Sequence, residues 1–249
     1  MLLSKTIFSG MCMGIIHVLA GVDHLSALAT LAVGSSWKAF TIGIRWGLGH
    51  STGLISMTAV FLFLKEELDL QATIQFCNIV VGIMMIILGL HGAYTAYSVH
   101  LQKNNKKSND DIEAGGDSHT NEANILCQCG KSLASYKVDF KDARTGRIVA
   151  YFIGVLHGIA GPGTILGVIP AVEMHSWHAT ALYLVSFIAA STCCMGFFAS
   201  IFGEVTRRAG AASEQIEFIL NASSAVISLI VGVMWLVFGM LGRLDDFFE

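Results

Sequence analysis

The sequence predicts an all-α polytopic membrane protein: six transmembrane helices arranged as two inverted three-helix repeats, with the first helix of each repeat broken. Three observations predict this. Long stretches carry no charge, the first part of the chain recurs in its second part, and glycines interrupt the first apolar stretch of each half.

Composition comes first. The 249 residues are 54% hydrophobic and only 13% charged, with 26 Gly and 2 Pro. A soluble domain carries about 25% charged residues. No Asp, Glu, Lys or Arg occurs from Gln71 to Gln102, Ile148 to Val172, Met174 to Gly203 or Phe218 to Gly242. Each run exceeds the ~20 residues that cross a hydrocarbon core. The expected spans are Ile7–Val33, Ala39–Leu64, Ile74–Val99, Ile148–Val172, Ala179–Phe202 and Phe218–Leu241. The first is too long, and too marked by His17, Asp23 and His24, to read as a cleaved signal peptide.

Loop charges set the expected orientation. Lys5, Lys65 and Arg243 share one face, whereas Lys38, eight Lys/Arg of residues 103–147 and Arg207–Arg208 share the other. The positive-inside rule puts the second face in the cytosol. Three segments follow: a first repeat at 1–100, a flexible polar cytosolic linker at 101–147 and a second repeat at 148–249. The linker is too polar to bury a core. Its His119, Cys127 and Cys129 read either as a transient soft-metal site or, by preference, as ordinary loop residues. The six cysteines show no disulfide framework, and Cys193–Cys194 read as packing residues.

The repeat is direct. Gly14-IIHVLAGVDHLSALATLAVGSS-Trp37 lies over Gly154-VLHGIAGPGTILGVIPAVEMHS-Trp177 at an offset of 140, matching His17/His157, Gly21/Gly161 and Trp37/Trp177. Val80-VGIMMIILGLH-Gly92 lies over Ile230-VGVMWLVFGML-Gly242 at an offset of 150. Three spans per unit is an odd number, so the second unit enters the membrane from the opposite face. Such inverted repeats are typical of secondary transporters, whose sites lie at the midplane on interrupted helices. Pro162 lacks an N–H and lies between Gly161 and Gly163, which breaks the fourth span. Gly21 breaks the first. Irregular backbone at that depth lines a cavity or is buried in protein.

Ionisable groups at bilayer depth are costly, about 2.5–3.5 kcal/mol each on insertion scales, and mark function. His17 and His24 are seven apart, about two helical turns, and a bend at Gly21 brings Asp23 to them. His50, on a glycine-rich helix, is the next candidate. Imidazoles with one carboxylate suit a borderline divalent transition metal. The expected metal ligands are therefore His17, Asp23, His24, His50 and His157; His157 reads equally as a pin for the broken loop. His91, His100, His175 and His178 read as interfacial. Arg45 either snorkels to the interface, the preferred reading, or pairs with Asp23. Gly43-x-x-x-Gly47 and Gly49-x-x-x-Gly53 read as helix-packing patterns.

His17-VLAGVD-His24, Arg45-WGLGHST-Gly53 and His157-GIAGP-Gly163 together resemble the nickel/cobalt transporter superfamily. The likeness is to its small six-span branch, with the UreH-like urease-accessory membrane proteins and the hydrogenase/urease nickel permeases. The resemblance covers nearly the whole chain outside the central segment. It implies transport of a transition metal, with His17, Asp23, His24 and His50 in that role. Two positions depart from the branch: Val22 where Pro is frequent, and Thr164 where a second Gly is usual. The partners expected are a transported Ni²⁺ or Co²⁺, with no tightly bound cofactor, and the lipid bilayer; nucleic acid is not expected, and a homo-oligomer stays open. The chain reads as no enzyme. The alternatives are an intramembrane metal-dependent hydrolase and an accessory membrane protein for metalloenzyme maturation.

Overall fold

The computed structural model describes residues 2–63, 70–113, 145–161, 170–171, 174 and 176–241. These residues form an all-α fold of seven helices: α1 Leu2–Ala20, α2 Val22–Ala32, α3 Ala39–Phe63, α4 Leu70–Glu113, α5 Thr145–Ala160, α6 Trp177–Ala212 and α7 Glu214–Leu241. Four of them, α1, α4, α6 and α7, are long and apolar enough to cross a membrane. Phe8, Phe76, Ile87 and Ile230 are exposed on the outside of the bundle. An apolar outer surface of that extent fits a lipid environment.

The first apolar stretch is broken where expected. Gly21 caps α2 with φ −75° and ψ 90°, an extended turn of the backbone between two helices. Its N–H donates to the His17 carbonyl at 3.1 Å. At the matching place in the second half, α5 ends at Ala160, and the Gly161 N–H donates to the His157 carbonyl at 2.7 Å. Pro162, Gly163 and Thr164 lie outside the described residues, as do His175 and the linker's His119, Cys127 and Cys129.

α4 runs on to Glu113, so the start of the segment expected as linker is helix. Residues 114–144 of that segment lie outside the described residues.

Packing follows small residues. α4 packs on α7, α3 on α5, α1 on α6 and α3 on α6. A side chain at Gly82 would meet the Leu236 N–H and the Gly232 carbonyl, and one at Gly232 would meet the Ile86 N–H and the Gly82 carbonyl. The two glycines therefore face each other across α4 and α7. Gly49 and Gly53 of α3 lie against the Tyr151 and Val155 carbonyls, while Gly154 and Gly158 of α5 lie against the Trp46 and His50 carbonyls. Both helices present small residues every fourth position, and backbones approach as closely as sterics permit. Gly43 and Gly47 pack against Met195 and Thr192 of α6. The two small-residue patterns of α3 thus contact different helices.

The short α2 is held by hydroxyls. The Thr30 hydroxyl donates to the Ser26 carbonyl at 2.9 Å and lies 2.8 Å from the Ser228 hydroxyl of α7, which itself donates to the Ser26 carbonyl at 3.2 Å. At its C-terminal end, Gly34 has φ +70°, and its N–H donates to the Thr206 hydroxyl at 3.0 Å. These bonds fix α2 against α6 and α7, and α2 carries Asp23 and His24.

Candidate metal centre

The five expected residues converge from four helices. α1 supplies His17 near its end, α2 supplies Asp23 and His24 in its first turn, α3 supplies His50 and α5 supplies His157 near its end. Asp23, His24, His50 and His157 are all buried, none more than 3% exposed. The break at Gly21 is what turns Asp23 and His24 toward His17. A carboxylate in the first turn also sits at the favourable end of the α2 dipole.

The contacts form two overlapping groups. In one, Asp23 lies between two imidazoles. Its Oδ1 is 3.0 Å from His24 Nδ1, and its Oδ2 is 2.8 Å from His157 Nε2. In the other, His17 Nε2 and His50 Nε2 are 3.1 Å apart. His24 joins the groups: one ligating atom from each of His17, His24 and His50, and from each of Asp23, His24 and His157, lie within 4.8 Å of one another. The His24 ring stands nearly perpendicular to those of His17, His50 and His157, with centroids 4.7, 4.9 and 4.5 Å away.

Three ring nitrogens in this cluster are buried with no hydrogen-bond partner: His24 Nε2, His50 Nδ1 and His157 Nδ1. Buried polar atoms are nearly always satisfied, and an unsatisfied one calls for a specific reason. A cluster of imidazoles with spare lone pairs is what a borderline transition-metal ion needs. Two nitrogens each ~2.1 Å from one ion and about 95° apart would be about 3.1 Å from each other, the His17–His50 separation.

Arg45 takes no part: its side chain is exposed, and the Asp23 oxygens face His24 and His157. His178 and Trp177 are exposed at the start of α6, and His100 packs on Phe218 at 4.6 Å, both away from the cluster.

Two neighbours were not foreseen in the sequence. Trp46 is fully buried and tilts over His157 with centroids 5.6 Å apart. Phe187 of α6 lies 5.4 Å from the His17 ring. Trp46 precedes His50 by four residues, so the helical period already placed both on one face. Phe187 had no local signal, because α6 reaches α1 only through the tertiary fold. Gly21 has a second role beyond breaking the helix. A side chain there would lie 2.5 Å from His24 Nδ1 and 3.1 Å from Asp23 Oδ1. The cluster occupies the space a Cβ would take.

No family model matches the chain, and no solved structure matches it. The chain is 25% identical over 236 residues to Chloroplast protein FOR GROWTH AND FERTILITY 2 of Arabidopsis thaliana, covering 94% of this chain and 57% of that one. It is 25% identical over 228 residues to Chloroplast protein FOR GROWTH AND FERTILITY 1 of the same plant, covering 90% and 55%. It is 22% identical over 196 residues to Urease accessory protein UreH of Bacillus sp. (strain TB-90), covering 78% and 74%. The chain thus spans little more than half the length of the two chloroplast proteins.

Proposed function

We propose that the protein is a multi-pass membrane transporter of a divalent transition-metal cation, nickel or cobalt, which passes through the buried His/Asp cluster. The observation that carries the reading is the meeting of His17, Asp23, His24, His50 and His157, from four helices, beside a helix break. Such a break beside a buried ligand cluster is how transporters hold ions at the midplane. The motif resemblance supplies the metal class, and the name of the Bacillus relative, a urease accessory protein, agrees with a nickel-related role.

Six spans in two inverted repeats belong to the same proposal. α1 with α2, α3, α4, α5, α6 and α7 stand for the six. Exchanging the halves turns the α1–α6 pairing into α5–α3 and leaves α4–α7 and α3–α6 unchanged, and these are the pairs that pack most extensively. The reciprocal Gly82–Gly232 contact supports an axis between α4 and α7. The positive-inside bias places the central segment in the cytosol.

A second reading is favoured by the same relative's name: an accessory membrane protein that hands metal to an enzyme-maturation system. A hydrolase is less well supported. It needs a carboxylate or imidazole free to act as base beside the ion, and both oxygens of Asp23 are engaged by histidines.

The test is uptake of Ni²⁺, Co²⁺, Zn²⁺ and Mn²⁺ into liposomes holding the wild type, Asp23→Asn or His24→Ala. The expected result is flux of Ni²⁺ or Co²⁺ that both variants lose. Folded wild-type protein that binds metal tightly but moves none would end the transport reading and favour the accessory one.

A further inference from the structure

Asp23 is held between His24 and His157, so it can bind an ion only by giving up one of those bonds. An ionised carboxylate only accepts hydrogen bonds. Asp23 therefore accepts from the His24 Nδ1–H at 3.0 Å and from the His157 Nε2–H at 2.8 Å. With Nδ1 protonated, neutral His24 carries its lone pair on Nε2, which is buried without a partner. The nitrogens of His17 and His50 that pair with each other are also Nε2 atoms.

We infer that the metal cation is coordinated by His17, His24 and His50 through their Nε2 atoms, with Asp23 and His157 acting as positioning residues behind His24. This rests on the reading of the cluster as a metal site. It departs from the expectation from sequence, in which Asp23 is a ligand and His157 is either a ligand or a pin for the broken loop. Metal-ligating histidines nearly always donate their other N–H to a carboxylate or carbonyl, which fixes the tautomer and the ring orientation. The Asp23–His24 contact has that form. His157 continues it by one step, since its N–H holds the second oxygen of the carboxylate and so fixes the plane of Asp23.

Distances agree with a single ion among the three imidazoles. Ligands on opposite sides of one ion lie about 4.2 Å apart at ~2.1 Å per bond. One ligating atom of each ring lies within 4.8 Å of the other two, and His17 Nε2 and His50 Nε2 are already 3.1 Å apart, inside that limit. The His24 ring stands nearly perpendicular to the other two, with centroids 4.7 and 4.9 Å away. A direct Asp23 ligand would instead have to give up a histidine bond on one of its oxygens.

The probe is Co²⁺ alone, bound to the full chain in lipid nanodiscs, with X-ray absorption to count imidazoles and competition titration for affinity. The wild type is expected to show three imidazoles and no carboxylate oxygen. His157→Gln is expected to keep all three while binding 10–100-fold more weakly, the usual range for an outer partner. His17→Gln and His50→Gln are expected to show two. A fourth imidazole or a bound carboxylate in the wild type overturns the inference, and so does loss of an imidazole in His157→Gln. The wild-type spectrum decides the matter even if a variant fails to fold. Three imidazoles without liposome flux would leave the coordination standing and remove transport. Flux with a carboxylate-bound ion would do the reverse. Wild-type protein that binds no Co²⁺ would remove both.

Discussion

Replacing Gly21 by alanine tests whether the cluster depends on the space that glycine leaves. The backbone there, φ −75° and ψ 90°, is open to any residue, so the substitution brings no conformational strain. What it brings is a methyl group 2.5 Å from His24 Nδ1, 3.0 Å from the His17 carbonyl and 3.1 Å from Asp23 Oδ1. Ordinary contact begins at 3.4 Å, so His24 must retreat by about 0.9 Å. That movement lengthens its bond to Asp23 or swings its other nitrogen off the ion. Overpacking of this kind costs about 1–3 kcal/mol. Metal affinity is expected to fall 10–100-fold, about 1.4–2.7 kcal/mol, by competition titration with Co²⁺. Gly34→Ala is the control. Gly34 has φ +70° and nothing within 4 Å of its would-be Cβ. Its cost is backbone strain of roughly 1 kcal/mol, expected as a lower thermal midpoint with metal affinity unchanged. Wild-type affinity in Gly21→Ala, or an equal loss in Gly34→Ala, would refute the reasoning.

Arg45→Gln is expected to leave Co²⁺ affinity within twofold of wild type, because Arg45 is exposed and the oxygens of Asp23 face histidines; a tenfold change would show that it acts on the site. Gly82→Ala and Gly232→Ala should each lower stability by about 1–3 kcal/mol, since either methyl would come within 3 Å of the facing backbone. The double variant should lose less than the two single losses combined, as the first methyl already parts α4 from α7; additive losses in thermal unfolding would show that the glycines do not share one contact.

The break in the first stretch was legible because glycine between apolar runs is a strong local signal, and α2 begins one residue after Gly21. The clustering of His17, Asp23 and His24 was legible for the same reason: their spacing is local. His50 and His157 were reached through glycine patterns and the repeat, which are also features of sequence. Their pairing partners were not legible. Nothing local says that His157 bonds Asp23 across 134 positions, or that His17 bonds His50 across 33. Those contacts depend on how α5 meets α2 and how α1 meets α3, and that is a tertiary matter. The third span, expected at Ile74–Val99, lies within a longer helix. The charges after Leu101 read as the start of a linker, but charges that end an apolar span need not end its helix, and α4 continues to Glu113.

The division of the cluster between the halves bears on how metal could move. His17, Asp23, His24 and His50 all come from the first half, and His157 alone comes from the second. α5, which carries His157, lies against α3 through glycines on both helices. Backbones in such contact cannot come closer, and a slide of α5 along α3 keeps that contact. A slide of that kind would carry His157 away from Asp23 while His17, His24 and His50 keep their places. On the proposed reading, the bond between His157 and Asp23 is then the link between the position of the second half and the orientation of His24. Freed of His157, the Asp23 carboxylate can turn, and His24 with it, which weakens the hold on the ion without dismantling its three ligands. His157→Gln would accordingly weaken binding and also blunt the dependence of flux on the metal gradient, whereas His17→Gln, with a ligand gone, would weaken binding further and abolish flux. Equal and complete loss in the two variants would mean that His157 is a ligand after all.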